Sequence, residues 1–280
     1  MLARLTRAPL SLLVTFSAMT GYVLTGSAIT ASFFFLLSGV FLLSAGTSVL
    51  NQVQEYRRDA LMQRTNRRPI PSGEISMLNA ILVAVVFILA GSVLLSFNGW
   101  LPMALGLLNI VFYNLIYTPL KTRSWLAILP GAAVGSVPPL IGWTSAGFYI
   151  FHPNALFLAL FVLLWQVPHF WLLMIKYGKE YEMAGFCSIS KNLNEQQIKS
   201  MVFLWGVFTS VFLMFFPLFG FNLSPLLMGL LIVLNLFFIS IFYRFLFRQR
   251  APGTIRNAFI LINSYAVAVF LLLIINAMFS

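Results

Sequence analysis

Charge is scarce in this sequence. Only 8% of its 280 residues are Asp, Glu, Lys or Arg, against about 25% in an ordinary soluble domain, which excludes a conventional water-solvated surface. Acid is the scarcer sign, with six Asp and Glu against 17 Lys and Arg and a formal net charge of +11. A solitary Cys187 excludes an intrachain disulfide and a CxxC metal site, and leaves the redox compartment open. Polar linkers and low-complexity tracts are missing, so residues 1–280 are expected to form a single domain.

What fills the sequence is apolar, 60% of all residues. Nine apolar runs of roughly the length that crosses a ~30 Å hydrocarbon core are expected to be transmembrane helices: 9–26, 29–50, 77–97, 100–117, 125–144, 154–175, 200–217, 225–243 and 257–279. The fold class is therefore an all-α integral membrane protein. Prolines 130, 138 and 139 are expected to break or kink one helix inside the membrane. The first run is longer than the 7–15 residues of a signal peptide, which favours a retained helix.

Every charged residue falls in segments 1–8, 51–76, 118–124, 176–199 or 244–256. Nine crossings place all of these on one side. The positive-inside rule makes that side cytoplasmic, in a bacterial inner membrane. A charged face on a greasy body suits a substrate that is part anionic and part lipidic; membrane lipid is an expected partner and nucleic acid is not.

Asn51, Glu55 and Asp59 recur every four residues, so a helix running past the second span carries them along one face. Two carboxylates and an amide are too few oxygens for calcium. They suit magnesium, which completes its octahedron with water and substrate phosphate oxygens. Arg64, Arg67 and Arg68 follow, with planar forks that match phosphate. A plain solvated loop would account for the arginines, though less well for two of six acids at helical spacing.

His169 lies within an apolar run on the charged side, where an ionisable group is costly unless bonded. It is read either as a substrate contact or proton carrier, or as a core histidine tied to another helix. Tyr113, Tyr117 and Trp165 flank the polar motifs and are candidates for an aromatic pocket or for packing. Asn114, Asn235, Asn263 and Asn276 are assigned to interhelical hydrogen bonding, and His152 to no function. Gly131 and Gly135 form a small-xxx-small pair that permits close helix approach or leaves room for a planar macrocycle.

The pattern Asn51-x-x-x-Glu55-x-x-x-Asp59-x-x-Met62-x-Arg64-Thr65-x-x-Arg68-Pro69 resembles the first acidic motif of the UbiA superfamily of intramembrane prenyltransferases. Two further stretches resemble its protoheme IX farnesyltransferase branch. One runs from Tyr117-Thr-Pro-Leu-Lys121-Thr-Arg123 to Gly142-Trp143; the other runs from Trp165-Gln166-Val-Pro168-His169-Phe170 to Glu180-Tyr181 and Ala184-Gly185. The resemblance implies a nine-helix bundle with its polar active site at the cytoplasmic end. It also implies magnesium as cofactor and transfer of farnesyl from farnesyl diphosphate to a vinyl of heme b, with addition of water, giving heme O.

On that reading Asn51, Glu55, Asp59 and Glu180 are the metal ligands, and Arg64, Arg67, Arg68, Lys121 and Arg123 hold the diphosphate. His169, Tyr117, Trp165 and Tyr181 then face heme or prenyl chain, and Arg64, Lys121 and His169 join the metal ligands as catalytic residues. Association with heme A synthase or terminal oxidase assembly is a further expectation. Departures are Lys179-Glu180 where the family often has Asp, and Phe186-Cys187 where it has Pro-Met. The first motif alone is equally compatible with an aromatic quinone precursor such as 4-hydroxybenzoate. A transporter is disfavoured because no carboxylate sits at mid-depth.

Overall fold

The computed structural model describes residues 1–280 other than 222, 250, 252 and 280. Nine long helices dominate the described residues, one for each expected crossing: α1 (Ala8–Val23), α2 (Ala31–Asp59), α3 (Met77–Ser96), α4 (Trp100–Leu120), α5 (Trp125–Ser145), α6 (Pro153–Met183), α7 (Glu195–Leu213), α8 (Pro225–Arg248) and α9 (Thr254–Phe279). Seven are long and apolar enough to span a bilayer; α1, with 16 residues, and α7 fall outside that set. The protein is a multi-pass membrane protein. Helix is the form an apolar run must take in hydrocarbon, because each backbone N–H and C=O then finds its partner within the segment.

The helices close into a ring. α1 packs on α2 and α5, α2 on α3, α3 on α4, and α4 on α5; α5 leads to α6 through α9, and α9 returns to α1. Close crossings use glycine. A Cβ on Gly142 would lie 1.8 Å from the Ala18 carbonyl oxygen, and one on Gly21 would lie 2.1 Å from that of Pro139, so α1 and α5 touch backbone to backbone. The second half packs on aromatics instead, with Phe157, Phe161, Phe216, Phe238 and Phe242 fully buried. Lipid-facing stripes remain on α3 (Leu82, Val86, Leu89, Val93) and α8 (Val233, Leu236, Phe237).

Of the break or kink expected at the prolines of α5, the break does not occur. Pro138 and Pro139 sit inside an unbroken helix, and Pro168 likewise lies within α6. Proline 168 has no N–H to offer the carbonyl four residues back. Trp205 of α7 supplies the missing donor, its Nε1 reaching Leu164 O at 2.9 Å. Within α4, residues Phe112–Tyr117 widen into a π-type turn. Asn114 O would there look to residue 119, which is proline, and Gln54 Nε2 takes that place at 3.1 Å.

Two helices outrun the bilayer. α2 has 29 residues and α6 has 31, or about 44 and 46 Å at 1.5 Å per residue, well beyond a ~30 Å core. Both project their C-terminal turns into the same charged layer. That shared excess length positions the site.

Candidate active site

The α2 ladder is buried: Asn51 is 0% exposed, Glu55 5% and Asp59 1%. Burying two carboxylates is unfavourable unless each is paired and hydrogen-bonded. Lys121 Nζ lies 2.5 Å from Glu55 Oε1, and Arg68 Nη1 donates to Asp59 Oδ2 at 2.5 Å. Arg68 reaches back because the chain after α2 turns tightly, held by Thr65 Oγ1 donating to Asp59 O at 2.9 Å. Burial lowers the Arg68 pKa, and the nearby Arg7 guanidinium lowers it further against the opposing pull of Asp59. Cations are crowded here.

Asn51 is fixed from both ends. Its Oδ1 accepts from Arg7 Nη2 at 3.1 Å, and its Nδ2 donates to Thr118 Oγ1 at 3.2 Å, which itself donates to Tyr113 O at 2.9 Å in the widened turn. Arg7 occupies left-handed backbone at φ 48° just before α1, a conformation that costs a non-glycine residue about 1–2 kcal/mol. Burial works to lower the Arg7 pKa, but the fields of Tyr113, Glu55 and Asp59 prevail and raise it.

The C-terminal end of α6 covers the cluster. Arg64 Nη2 donates to the Tyr181 hydroxyl at 2.8 Å, and its guanidinium lies 5.1 Å from the Tyr177 ring centroid and 5.5 Å from that of Tyr181. Glu180 Oε2 accepts from the Arg64 backbone N–H at 3.3 Å. The loop beyond α6 docks on the 118–124 loop, Cys187 N–H donating to Lys121 O at 2.9 Å. Lys121 also sits 4.9 Å over Tyr117.

The expected site residues thus divide. Asn51, Glu55, Asp59, Arg68 and Lys121 form one cluster about Arg7, which bonds to Asn51 and interacts electrostatically with Glu55, Asp59 and Arg68; Arg64, Glu180 and Tyr181 form an adjoining cap. Arg67 and Arg123 are exposed. Among the described residues neither side chain hydrogen-bonds or pairs with an acid; Arg67 contributes its carbonyl to Arg4 at 3.1 Å. Trp165 is tied to α9, its Nε1 donating to Ile262 O at 2.8 Å. His169 lies deeper, reached through Phe170, whose ring is 6.4 Å from Tyr117 and 5.5 Å from His169.

Sequence reading passed over Arg7, Thr118 and Gln54, which the chain brings to the cluster from 44, 67 and 60 residues away from their partners. Only the positive charge of Arg7 beside the first apolar run was a usable signal. Gly131 and Gly135 serve side chains rather than a helix: a Cβ on the first would meet the Tyr117 ring, and one on the second the Gln166 amide. His152 caps α6, its Nδ1 accepting from Asn154 N–H at 3.3 Å.

The oxygens suit a small divalent cation only with a substrate's help. Asp59 Oδ1 is buried and takes no hydrogen bond among the described residues. Among the described residues no three His, Cys, Asp or Glu side chains converge there, Glu180 included. Two carboxylates and the Asn51 amide are a partial set of the kind magnesium accepts when phosphate oxygens and water complete it.

The fold and site together define an intramembrane helical bundle with a buried acid ladder, ringed by arginine and lysine at one end. The sequence model of the UbiA prenyltransferase family matches residues 12–275, and the chain belongs to that family. It is 37% identical over 214 residues to the protoheme IX farnesyltransferase of Geobacter sulfurreducens, covering 76% of this chain and 79% of that one. With the enzyme of the same name from Nitratidesulfovibrio vulgaris strain DP4 it shares 33% identity over 228 residues, 81% and 78% of the two chains. Among solved structures, a digeranylgeranylglyceryl phosphate synthase superposes with TM-score 0.78 at 16% identity, over 100% of this chain and 98% of that one. A UbiA homolog from Archaeoglobus fulgidus bound to GPP and Mg2+ gives 0.72 at 15%, over 98% and 99%. At such identities the likeness is one of fold.

Proposed function

We propose that the protein transfers a farnesyl group from farnesyl diphosphate to a vinyl carbon of heme b, with addition of water, to give heme O. Two-thirds or more of the chain aligns at 33–37% identity with enzymes named for that reaction. The observation that carries the reading is the buried Asn51–Glu55–Asp59 ladder, held by Lys121, Arg68 and Arg7 from three other segments. The whole of 1–280 acts as one domain, in a bacterial inner membrane with the charged layer cytoplasmic. Heme A synthase or oxidase assembly would receive the product.

The chemistry follows from charge. Breaking the C1–O bond of an allylic diphosphate leaves negative charge on the departing oxygens and positive charge on the prenyl carbon. Magnesium, held by Asn51, Glu55 and Asp59, would supply counter-charge to the leaving group. Arg64, Arg68 and Lys121 bind and orient the same oxygens, and they are preorganised because their fixed partners already hold them. Binding a diphosphate also relieves the mutual repulsion of Arg7 and Arg68. Tyr117, Tyr181 and Phe170 provide aromatic faces toward the allylic cation, and the helix ring excludes bulk water. The vinyl carbon forms the new C–C bond to C1. Water then adds to the adjacent carbon, which bears the remaining positive charge, and releases a proton.

The test is product mass after incubating purified protein in detergent with farnesyl diphosphate, magnesium and either heme b or 4-hydroxybenzoate. A farnesylated, hydrated heme is expected. Product from the benzoate alone would move the acceptor to a quinone precursor.

A further inference from the structure

His169 of α6 is surrounded by rings: Phe259 of α9 at 4.7 Å, Trp165 at 5.2 Å and Phe170 at 5.5 Å between centroids. Its one hydrogen bond among the described residues joins Nδ1 to Asn263 Oδ1 at 3.0 Å. Which atom carries the proton follows from the amide. Asn263 Nδ2 donates to the Phe259 carbonyl of its own helix, so the oxygen is what faces the imidazole, and an amide oxygen only accepts. Neutral His169 therefore carries its proton on Nδ1 and a lone pair on Nε2. Nε2 finds no protein partner among the described residues.

We propose that Asn263 is a positioning residue that locks His169 in the Nδ1–H tautomer, so that Nε2 is an axial ligand for the iron of the porphyrin acceptor. The proposal rests on the heme reading above. A ligating histidine ordinarily donates its other N–H to an oxygen acceptor, which fixes the ring and raises its basicity. Asn263 does this from α9 while its own amide is braced on the helix backbone. His169 is joined to the diphosphate cluster by Phe170 and Tyr117, so a macrocycle tethered through its iron would lie near that cluster.

The first measurement needs no ligand. With only two histidines in the chain, selective 15N-histidine labelling leaves two rings to observe, and the His152 ring is identified by its own substitution. Wild-type His169 is expected to show a protonated, pyrrole-like Nδ1 and a pyridine-like Nε2. Asn263→Leu should shift the ring toward the Nε2–H form, and Asn263→Asp, which keeps an acceptor oxygen, should restore it. A protonated Nε2 in the wild type, or an unchanged tautomer in Asn263→Leu, overturns the proposal; if the leucine variant misfolds, the wild-type and aspartate spectra still decide it.

The second measurement is a heme b titration followed by the Soret band. Imidazole ligation is expected in the wild type, lost in His169→Ala, about 10–100-fold weaker in Asn263→Leu, and recovered in Asn263→Asp. Heme that binds the wild type and His169→Ala with identical spectra refutes the ligand assignment. Failure of the wild type to bind heme at all refutes the acceptor reading and the ligand with it, whereas the tautomer is judged by the nitrogen spectra alone.

Discussion

Replacing Glu55 by Gln leaves the Lys121 ammonium, whose side chain is 15% exposed, facing a neutral amide where a carboxylate stood 2.5 Å away. The gross Coulomb attraction lost is roughly 7 kcal/mol at an effective dielectric of about 20, and the desolvation of both ions offsets most of it. Removing one member of a fully buried pair destabilises by about 3–5 kcal/mol. Here Lys121 keeps some water and the Tyr117 face at 4.9 Å, so each of Glu55→Gln and Lys121→Met should cost about 2–3 kcal/mol. The double variant removes both charges and should cost little more than either single change, giving a coupling energy of about 2 kcal/mol. SDS-titration unfolding in mixed micelles measures the four stabilities, and prenyl transfer measures the four activities. All three variants are expected to be inactive, including the double variant in which no unpaired charge remains. Additive destabilisation would show that the ion pair is not coupled, and an active double variant would remove both residues from the diphosphate site.

Asp59→Asn keeps an oxygen acceptor for Arg68 and a matching shape, so the protein should purify folded while turnover falls about 10²–10³-fold, the usual scale for losing one preorganised electrostatic group. Near-normal product formation would exclude Asp59 from the chemistry. EDTA should abolish turnover and added magnesium should restore it, as measured by product mass; activity that persists in EDTA would rule out magnesium. Gly142→Ala should destabilise by about 1–3 kcal/mol or more, since its Cβ meets the Ala18 carbonyl at 1.8 Å. Gly229→Ala, with nothing within 4 Å, should be neutral or stabilising by up to about 1 kcal/mol in the same unfolding assay.

Much of the fold was legible because hydrocarbon leaves the backbone one solution. Each apolar run of adequate length became a helix, and the four-residue spacing of Asn51, Glu55 and Asp59 carried α2 past the membrane as expected. Proline 168 shows what sequence leaves open: the carbonyl it frees at Leu164 is paired by Trp205 of a neighbouring helix, 41 residues away. The arginines could not be ranked by sequence either: the side chains of Arg64 and Arg68 bond to Tyr181 and Asp59, whereas those of Arg67 and Arg123 have no such partner among the described residues.

Composition and spacing by themselves determined that this is a helical membrane protein with its charge on one face and an acid ladder at the end of its second long helix, because these are properties of contiguous segments. Which cations meet that ladder, that Arg7 and Thr118 hold Asn51, and that Asn263 faces His169 were decided by the tertiary structure alone. Apart from Arg68, which the tight turn after α2 returns to Asp59 nine residues away, those hydrogen-bond partners are separated by 44 to 94 residues, and only the closure of the helix ring sets which side chains share a layer.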